Sequence, residues 1–262
     1  MSGQSVRFDD GAAYEDMMGN WSRRAGETFI DWLAPRAGME WIDVGCGNGA
    51  FSHLLFDRCP PARLVGVDPS EGQLAYARSR LGGKPASFVA GDAMALPCPD
   101  RSFDAATMAL VIFFVPDPPK GVAEMVRVVR PGGEVASYAW DMPGGGFPME
   151  PINRELRALG VPPPGPPRPE ASAMGALNSL WSNAGVEAIE TKAITVERVF
   201  AGFDDFWDTN IKGPGLKQTA ERMSPPMLDE LRARLRASLP RDAAGRVACQ
   251  ARANAIKGRV AA

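Results

Sequence analysis

The chain has 262 residues, of which 45% are hydrophobic and 23% charged, a composition typical of a folded globular protein. Its formal net charge of −2 argues against a protein that binds nucleic acid through a basic surface. The first twenty residues lack the basic and apolar stretches of a secretion signal, and the longest mostly apolar run, Ala105–Val115, is too short to span a bilayer.

The supply of cysteine and histidine is small and scattered. Cys46, Cys59, Cys98 and Cys249 form no C-x-x-C pair, and His53 is the only histidine. This spacing predicts no metal site and no disulfide framework, and nothing around His53 fits a Ser-His-Asp triad. We expect a reducing, cytoplasmic compartment.

From about residue 40 the sequence alternates between strand-like and helix-like segments. The predicted strands are Glu40–Cys46, Arg63–Asp68, Ala86–Asp92, part of Phe103–Val115, and Glu134–Trp140. The predicted helices are Ala50–Cys59, Glu71–Leu81 and Pro118–Val129. This alternation predicts a parallel sheet with helices on both faces.

The alternation stops after residue 140. Residues 141–169 are predicted to be irregular, and six prolines in 161–169 favour an extended connection, although a P-x-x-P ligand of the SH3 type is an alternative. The later predicted elements are a helix at Ala171–Asn183, a strand at Gly185–Val199, helices at Phe203–Trp207 and Met227–Leu239, and a strand at Arg246–Ile256. We expect the last strand at an edge or in a hairpin. Arginines at 232, 234 and 236 scatter around their helix and predict a solvated surface.

The strongest motif is the run DVGCGNG at residues 43–49, placed at a predicted strand-to-helix turn. Glycines there allow a tight turn and a close approach of the backbone to a ligand. The turn alone is a weak signal, because with Ala50 it also matches the dinucleotide pattern G-x-G-x-x-A.

Further polar residues follow at the ends of the next strands. Asp68 ends the second predicted strand, 19 positions after Gly49, and its two oxygens can accept both hydroxyls of a ribose. Asp92, in a Gly-Asp-Ala sequence after the third strand, can accept from an adenine amino group. The runs SFD at 102–104 and RPGG at 130–133 flank the fourth and fifth strands.

Together these motifs resemble the class I S-adenosylmethionine-dependent methyltransferases. The resemblance rests on DVGCGNG, VGVD, GDA, FDAATMALVIFFVPDP and RPGG, with YEDMMGNWSRR near the N-terminus and ARANAIKGR near the C-terminus. It covers residues 14–140 in detail. The branch it resembles is that of the small-molecule methyltransferases related to ubiquinone and menaquinone biosynthesis enzymes.

The resemblance implies a Rossmann-like, mostly parallel seven-stranded sheet whose last strand is antiparallel, with helical cap insertions. It implies a single methyltransferase domain over 1–262, with a core of about 37–140 and 185–262 and a cap from 1–36, 141–184 and 200–242. It also implies an S-adenosylmethionine site formed by Asp43, Gly45, Cys46, Gly47, Gly49, Asp68, Pro69, Asp92, Ala93, Met108 and Ala109.

In this resemblance the glycines approach the methionine part of the cofactor, and Asp43 helps to hold its amino group. Asp68 takes the ribose hydroxyls, with Pro69 beside the adenine, and Asp92 and Ala93 read the adenine edge. Met108 and Ala109 face the sulfonium. Many relatives carry a histidine near positions 113 and 114, where this chain has phenylalanine.

The implied reaction is an in-line transfer of the sulfonium methyl group to a small-molecule acceptor. A general base is needed only if the acceptor stays protonated, and Asp141 and Tyr14 are the candidates. The acceptor candidates are aromatic residues of the cap, unless these form the cap's own core: Tyr14, Trp21, Trp140, Phe206 and Trp207. The acceptor molecule and atom cannot be identified from the sequence.

Two other functions stay open. An NAD-dependent oxidoreductase shares the glycine turn and Asp68 but leaves the GDA and RPGG motifs unexplained. A non-catalytic S-adenosylmethionine-binding subunit keeps every cofactor contact and lacks an acceptor pocket.

Overall fold

A computed structural model describes residues 15–262, so that Tyr14 lies outside the described part of the chain. The sheet has seven strands in the order β3-β2-β1-β4-β5-β7-β6. They are β1 (Glu40–Val44), β2 (Arg63–Asp68), β3 (Ala86–Ala90), β4 (Phe103–Ala109), β5 (Val129–Trp140), β6 (Val186–Phe200) and β7 (Val247–Val260). The first five strands are parallel, and β7 is antiparallel to β5 and β6. The predicted fold class is confirmed.

Residues 15–262 also contain nine α-helices. They are α1 (Asn20–Leu33), α2 (Ala50–Arg58), α3 (Glu71–Arg80), α4 (Pro118–Val128), α5 (Glu150–Ala158), α6 (Met174–Asn183), α7 (Phe203–Ile211), α8 (Pro214–Arg222) and α9 (Pro225–Ser238). A π-helical turn at Glu15–Gly19 leads into α1, and 3₁₀ turns occupy Ile112–Phe114 and Pro169–Ser172.

The strand order creates a space large enough for a ligand at the carboxyl ends of the strands. The path from β1 to β2 and the path from β4 to β5 run in opposite directions along the sheet, and right-handed crossovers therefore put α2 and α4 on opposite faces. The loops after β1 and β4 leave in opposite directions. A crevice forms between them at the carboxyl ends of the strands.

Central strands are apolar because both of their faces are covered. In β1, Trp41, Ile42 and Val44 are at most 1% exposed, and the β4 residues Ala106 and Met108 are fully buried. Burial on both faces explains why these strands read as continuous apolar runs rather than as alternating ones.

The insertion after β5 contains a helix that the sequence did not predict. Residues 141–169 were expected to be irregular, but α5 begins at Glu150, with Pro151 in its first turn, and buries Ile152 and Leu156. Proline is compatible with the first turn of a helix, since its missing N–H has no partner to lose there. Helix α8 likewise begins at a proline and was not predicted.

The last strand lies inside the sheet. The expected edge position is wrong, because β7 pairs with β5 from Glu134↔Arg259 to Trp140↔Ala253 and with β6 on its other side. Antiparallel pairing of the last two strands runs from Phe200↔Val247, but they do not form a hairpin, because residues 201–246 with three helices connect them. Strand β6 lies at the edge of the sheet. The sequence pattern alone could not show which of the last two strands is the edge strand, since the neighbours of a strand are set by tertiary packing.

Candidate functional site

A cavity of about 1270 Å³ opens at the carboxyl ends of β1, β2 and β4. Its lining brings together four segments that are far apart in sequence: residues 45–48, 67–70, 91–93 and 109–111. This is the place where the strand order reverses between β1 and β4, and open α/β sheets bind their ligands at such a point.

The glycine turn forms the floor of this cavity. Gly45 N and Cys46 N both donate to Val67 O, at 2.7 and 3.1 Å, and this fixes the turn to the end of β2. Gly45 has a φ of +74°, and a Cβ built there would lie 2.6 Å from Val111 Cγ1. A Cβ built on Gly47 meets nothing within 4 Å. The backbone at Gly47 is therefore open to a ligand.

Gly49 and Cys46 serve the turn in other ways. Gly49 is not part of the lining, and a Cβ there would come within 3.0 Å of Ala77 Cβ in α3. Burial, with smaller effects from Asp43 and Asp68, raises the pKa of the Cys46 thiol far above its usual range. The thiol is therefore protonated, and Cys46 offers the cavity its backbone rather than a reactive sulfur.

Asp68 is held in place by backbone donors. Its Oδ2 accepts from Gly47 N at 2.9 Å, and its Oδ1 accepts from Ser70 N at 2.9 Å. Burial raises the pKa of Asp68, while these two hydrogen bonds lower it. Each carboxylate oxygen has a second acceptor site, so that the side chain can still receive two hydroxyl donors from the cavity.

Asp43 is a fully buried acid on the cavity lining. Its Oδ2 accepts from Ser52 Oγ at 2.6 Å, and its Oδ1 accepts no hydrogen bond from the described residues. Burial raises the pKa of Asp43 to about 7; the Ser52 bond opposes this shift and the nearby Asp68 charge adds to it. An unsatisfied buried carboxylate oxygen is costly, and a donor from a ligand would satisfy it.

The predicted adenine-side residues also meet the cavity. Pro69, Asp92 and Ala93 line it, and Asp92 is exposed, with its Oδ1 accepting from Met94 N at 2.8 Å. Ala109 lines the cavity at the end of β4, whereas Met108, one residue earlier, is fully buried in the sheet and does not.

Asp141, the catalytic candidate after β5, lies apart from the cavity lining. Its carboxylate accepts from Arg252 Nε at 3.0 Å, from Arg252 Nη2 at 2.5 Å and from Gly144 N at 3.0 Å. These bonds close the loop over residues 141–146. We therefore assign Asp141 no part in the chemistry below.

The predicted acceptor residues that the structure describes lie in the protein interior and do not line the cavity. Trp21, Trp140, Phe206 and Trp207 are all buried, and none of them is part of the lining. Phe206 packs edge-on against Phe200, with ring centroids 5.2 Å apart. Trp207 stacks on Phe203, with ring centroids 6.4 Å apart. The burial of all four residues fits the interpretation of a core.

The sequence did not predict the surface that faces the glycine turn. Five consecutive or nearly consecutive residues after β4 form an apolar wall of the cavity: Leu110, Val111, Phe114, Val115 and Pro116. Phe114 is 38% exposed, and Leu110 has a φ of +61°, a strained value for a residue with a side chain. The apolar run itself was visible in the sequence, but its turn out of the sheet was not.

The opposite side of the cavity is more polar. It is formed by α1 and α2, which contribute residues such as Asn20, Ser22 and Arg23, with Tyr138 of β5 below them. His53 of α2 also reaches this rim, where its Nδ1 lies 3.0 Å from Asp57 Oδ2. The resemblance included YEDMMGNWSRR and assigned residues 1–36 to the cap, but it did not place Asn20, Ser22 or Arg23 on the cavity, since this depends on how α1 packs against α2.

Residues 15–262 contain neither a cluster of metal ligands nor a membrane-spanning helix. No three His, Cys, Asp or Glu side chains among them come close enough to hold a metal ion. Within the same range, no helix is long and apolar enough to cross a membrane.

Comparison with known proteins is consistent with this geometry. Residues 42–137 match a family model described as a methyltransferase domain. Over 125 residues the chain is 42% identical to a ubiquinone/menaquinone biosynthesis C-methyltransferase of Paracoccus denitrificans, an alignment that covers 46% of this chain and 50% of that one. Over 122 residues it is 38% identical to a demethylmenaquinone methyltransferase of Desulfitobacterium hafniense, covering 45% and 47%.

The fold extends the likeness over more of the chain. A solved phosphoethanolamine N-methyltransferase 2 of Haemonchus contortus, in complex with S-adenosyl-L-methionine, superposes with a TM-score of 0.60 at 18% identity, over 95% of this chain and 56% of that one. The curated relatives are matched over about half of their length.

Proposed function

Because the chain carries a methyltransferase domain of the class I, S-adenosylmethionine-dependent type, we propose that it transfers a methyl group from S-adenosylmethionine to a small-molecule acceptor. The observation that carries this proposal is the meeting of the glycine turn, Asp68 and Asp43 on one cavity at the reversal point of the sheet. A nicotinamide dinucleotide would use the glycine turn and Asp68, but it offers no ammonium for the buried Asp43.

The residues present fit this cofactor. In the proposal, Asp68 receives the ribose hydroxyls on oxygens already fixed by Gly47 N and Ser70 N. The unsatisfied Oδ1 of Asp43 faces the amino group of the methionine part. Asp92, Ala93 and the exposed ring of Pro69 are assigned to the adenine. When bound, the cofactor supplies an electrophilic methyl group on a cationic sulfur.

For such a reaction the protein's tasks are orientation and exclusion of water. The apolar wall provides a surface against which a flat acceptor can be aligned with the methyl group, and it removes water from that side. Alignment and exclusion of water do not require an ionisable group on the wall, which has phenylalanine at positions 113 and 114. Methylation of a hydroxylated acceptor also releases one proton, which passes to solvent or to a base outside the wall.

The acceptor class we propose is a quinone-type aromatic ring in its reduced form. The support is twofold: the relatives with 42% and 38% identity are named for ubiquinone and menaquinone methylation, and the wall opposite α1 is apolar.

We also propose a cytoplasmic location. The four cysteines are free thiols, which supports it.

The test is a pair of binding measurements followed by a transfer assay. Calorimetry with S-adenosylhomocysteine is expected to give one site per chain, and NADH to give no heat. Radiolabelled S-adenosylmethionine is then offered with a panel of quinols, catechols and amines. Binding of NADH alone would support the oxidoreductase. Binding of S-adenosylhomocysteine without methyl transfer to any member of the panel would support the non-catalytic subunit.

A further inference from the structure

The proline-rich segment at residues 161–169, called here the proline strap, runs close to the apolar wall. Six of its nine residues are prolines, which have no amide hydrogen. Of the other three, Val161 N donates back to Leu156 O in α5, at 2.9 Å, and Arg168 N donates to Phe113 O, at 3.0 Å. One of the few donors that the strap retains therefore bonds to the loop that carries the wall.

Arg168 makes a second bond to the same loop. Its Nε donates to Pro116 O at 3.0 Å. The two carbonyls that Arg168 holds, those of Phe113 and Pro116, bracket the exposed Phe114 and the buried Val115 of the wall. One residue of the strap thus fixes both ends of this part of the wall.

The far end of the strap is anchored to the sheet. Ser172 is fully buried, and its Oγ donates to Pro169 O at 2.7 Å and accepts from Met142 N at 3.1 Å. Ser172 O accepts from Asn254 Nδ2 of β7 at 2.9 Å. A continuous series of hydrogen bonds therefore leads from the central sheet, through the end of the strap, to the wall.

We propose that the proline strap is a brace that sets the position of the acceptor wall, with Arg168 as the positioning residue. The inference rests on the proposed function, because it assigns the wall to the acceptor. Proline restricts the backbone and stiffens the segment, so that the anchor at Ser172 is transmitted to the wall rather than lost in a flexible loop. Arg168 touches no reacting group; it acts through Phe114 and Val115.

The experiment compares Arg168→Ala, Arg168→Lys and the control Arg154→Ala. Arg154 is an exposed arginine of α5 whose side chain bonds to Glu155 and not to the wall. Hydrogen exchange is measured on the S-adenosylhomocysteine-bound proteins at the amides of Phe114 and Val115, which bond to Val111 O and Ile112 O. We expect exchange at these amides to rise about 10-fold in Arg168→Ala, because one charge-assisted hydrogen bond is lost, and to stay unchanged in Arg154→Ala.

Kinetics then separate positioning from a general structural effect. With a 1,4-naphthoquinol that has an open ring position as the acceptor, Arg168→Ala should raise the acceptor KM about 5- to 20-fold and change the Kd of S-adenosylhomocysteine by less than about twofold. The acceptor KM of Arg168→Lys, which keeps the charge and the backbone bond, should lie between those of the wild type and Arg168→Ala. Unchanged exchange in the wall of a folded Arg168→Ala protein overturns the proposal, and so does an equal loss of cofactor and acceptor affinity.

The two hypotheses fail in different ways. If the wild-type protein transfers no methyl group to any acceptor, the proposed function is wrong. The exchange comparison does not need turnover, and on the ligand-free proteins it decides whether Arg168 holds the wall even if S-adenosylhomocysteine does not bind.

Discussion

Asp68 combines two properties: its carboxylate is fixed by the backbone, and it still faces a cavity. A ligand therefore meets acceptors that need no reordering. If both oxygens accept ribose hydroxyls, Asp68→Ala removes two charge-assisted hydrogen bonds. We expect a loss of about 2–4 kcal/mol after partial replacement by water, or roughly 30- to 1000-fold in cofactor affinity.

The matched variant is Asp68→Asn, which keeps one acceptor oxygen but presents donors where the second one was. Its affinity should lie between those of the wild type and Asp68→Ala. Affinity is measured by calorimetry and the thermal midpoint alongside it. A folded Asp68→Ala protein that binds S-adenosylhomocysteine as tightly as the wild type would refute the assignment.

At the residue scale, the sequence predicted the side of the site that follows the strand ends. Gly45, Gly47, Asp68 and Asp92 all line the cavity, because the end of a parallel strand can be located from the local pattern. The opposite side could not be predicted. Trp21 is the clearest case: it was named as an acceptor candidate, but whether it faced the cavity or the core depended on the packing of α1 against the sheet, which buries it completely.

At the element scale, one glycine of the turn is needed mainly for folding and another mainly for ligand binding. Gly45 has both a positive φ and a close neighbour in Val111, whereas Gly47 has a φ of +51° and open space on its Cβ side. A side chain at position 45 should therefore act mainly on folding. A side chain at position 47 projects into the space proposed for the cofactor.

We expect Gly45→Ala to destabilise the protein by about 2–4 kcal/mol, of which about 1–2 kcal/mol comes from the left-handed backbone and the rest from the collision with Val111. Adding Val111→Ala should recover only the second part. Gly47→Ala should lose about 1–2 kcal/mol of stability and, in addition, cofactor affinity. Urea unfolding and calorimetry measure the two quantities. Equal destabilisation by the two glycine variants, with equal affinities, would contradict this division.

The elements themselves were predictable to different degrees. Helices and strands of the 40–140 region match the sequence pattern because each strand is a short apolar run, each helix has helical spacing of its apolar residues, and turn residues separate them. Helix α5 was missed since glycine and proline dominate its flanks, although Ile152 and Leu156 bury one face. The position of β7 between β5 and β6 is not a local property at all.

At the scale of the whole molecule, the described chain offers no cluster of ligands for a metal ion. The proposed donor also needs no Lewis acid, since its methyl group is already activated by the positive sulfur. We expect EDTA treatment to leave S-adenosylhomocysteine affinity and any methyl transfer within about twofold of the untreated protein. The control is the same treatment followed by addition of Mg²⁺ or Zn²⁺. A loss on chelation that a metal restores would show that a carboxylate site had been missed.

Glu40 and Asp104, near the amino ends of β1 and β4, have pKa shifts opposite to that of Asp43 at the carboxyl end of β1. At the amino end, Arg130 and Arg63 lower the pKa of Glu40, and Arg130 pairs with Asp104, whose pKa is also lowered. At the carboxyl end, burial raises the pKa of Asp43 to about 7. The ionised Glu40 and Asp104 stabilise the folded state above the pKa values that these residues have in the unfolded chain, and this stabilisation is lost as the pH falls. Stability associated with Asp43 is present below about pH 4 and is lost as the pH rises through 7.

The ligand-free protein should therefore be most stable at mildly acidic pH and lose about 2–4 kcal/mol of unfolding free energy between pH 5 and pH 8, at up to about 1.4 kcal/mol per pH unit. Asp43→Asn, which keeps the size of the side chain and an acceptor for Ser52, should remove most of this loss. S-adenosylhomocysteine should oppose it, because an ammonium beside Asp43 favours the ionised form, so that the ligand stabilises the wild type more at pH 8 than at pH 5. Urea unfolding of both proteins at the two pH values, with and without the ligand, gives the eight free energies of unfolding that this comparison needs. If Asp43→Asn shows the same pH dependence as the wild type, Asp43 titrates in its ordinary range, and the stabilisation by ligand should then not depend on pH through this residue.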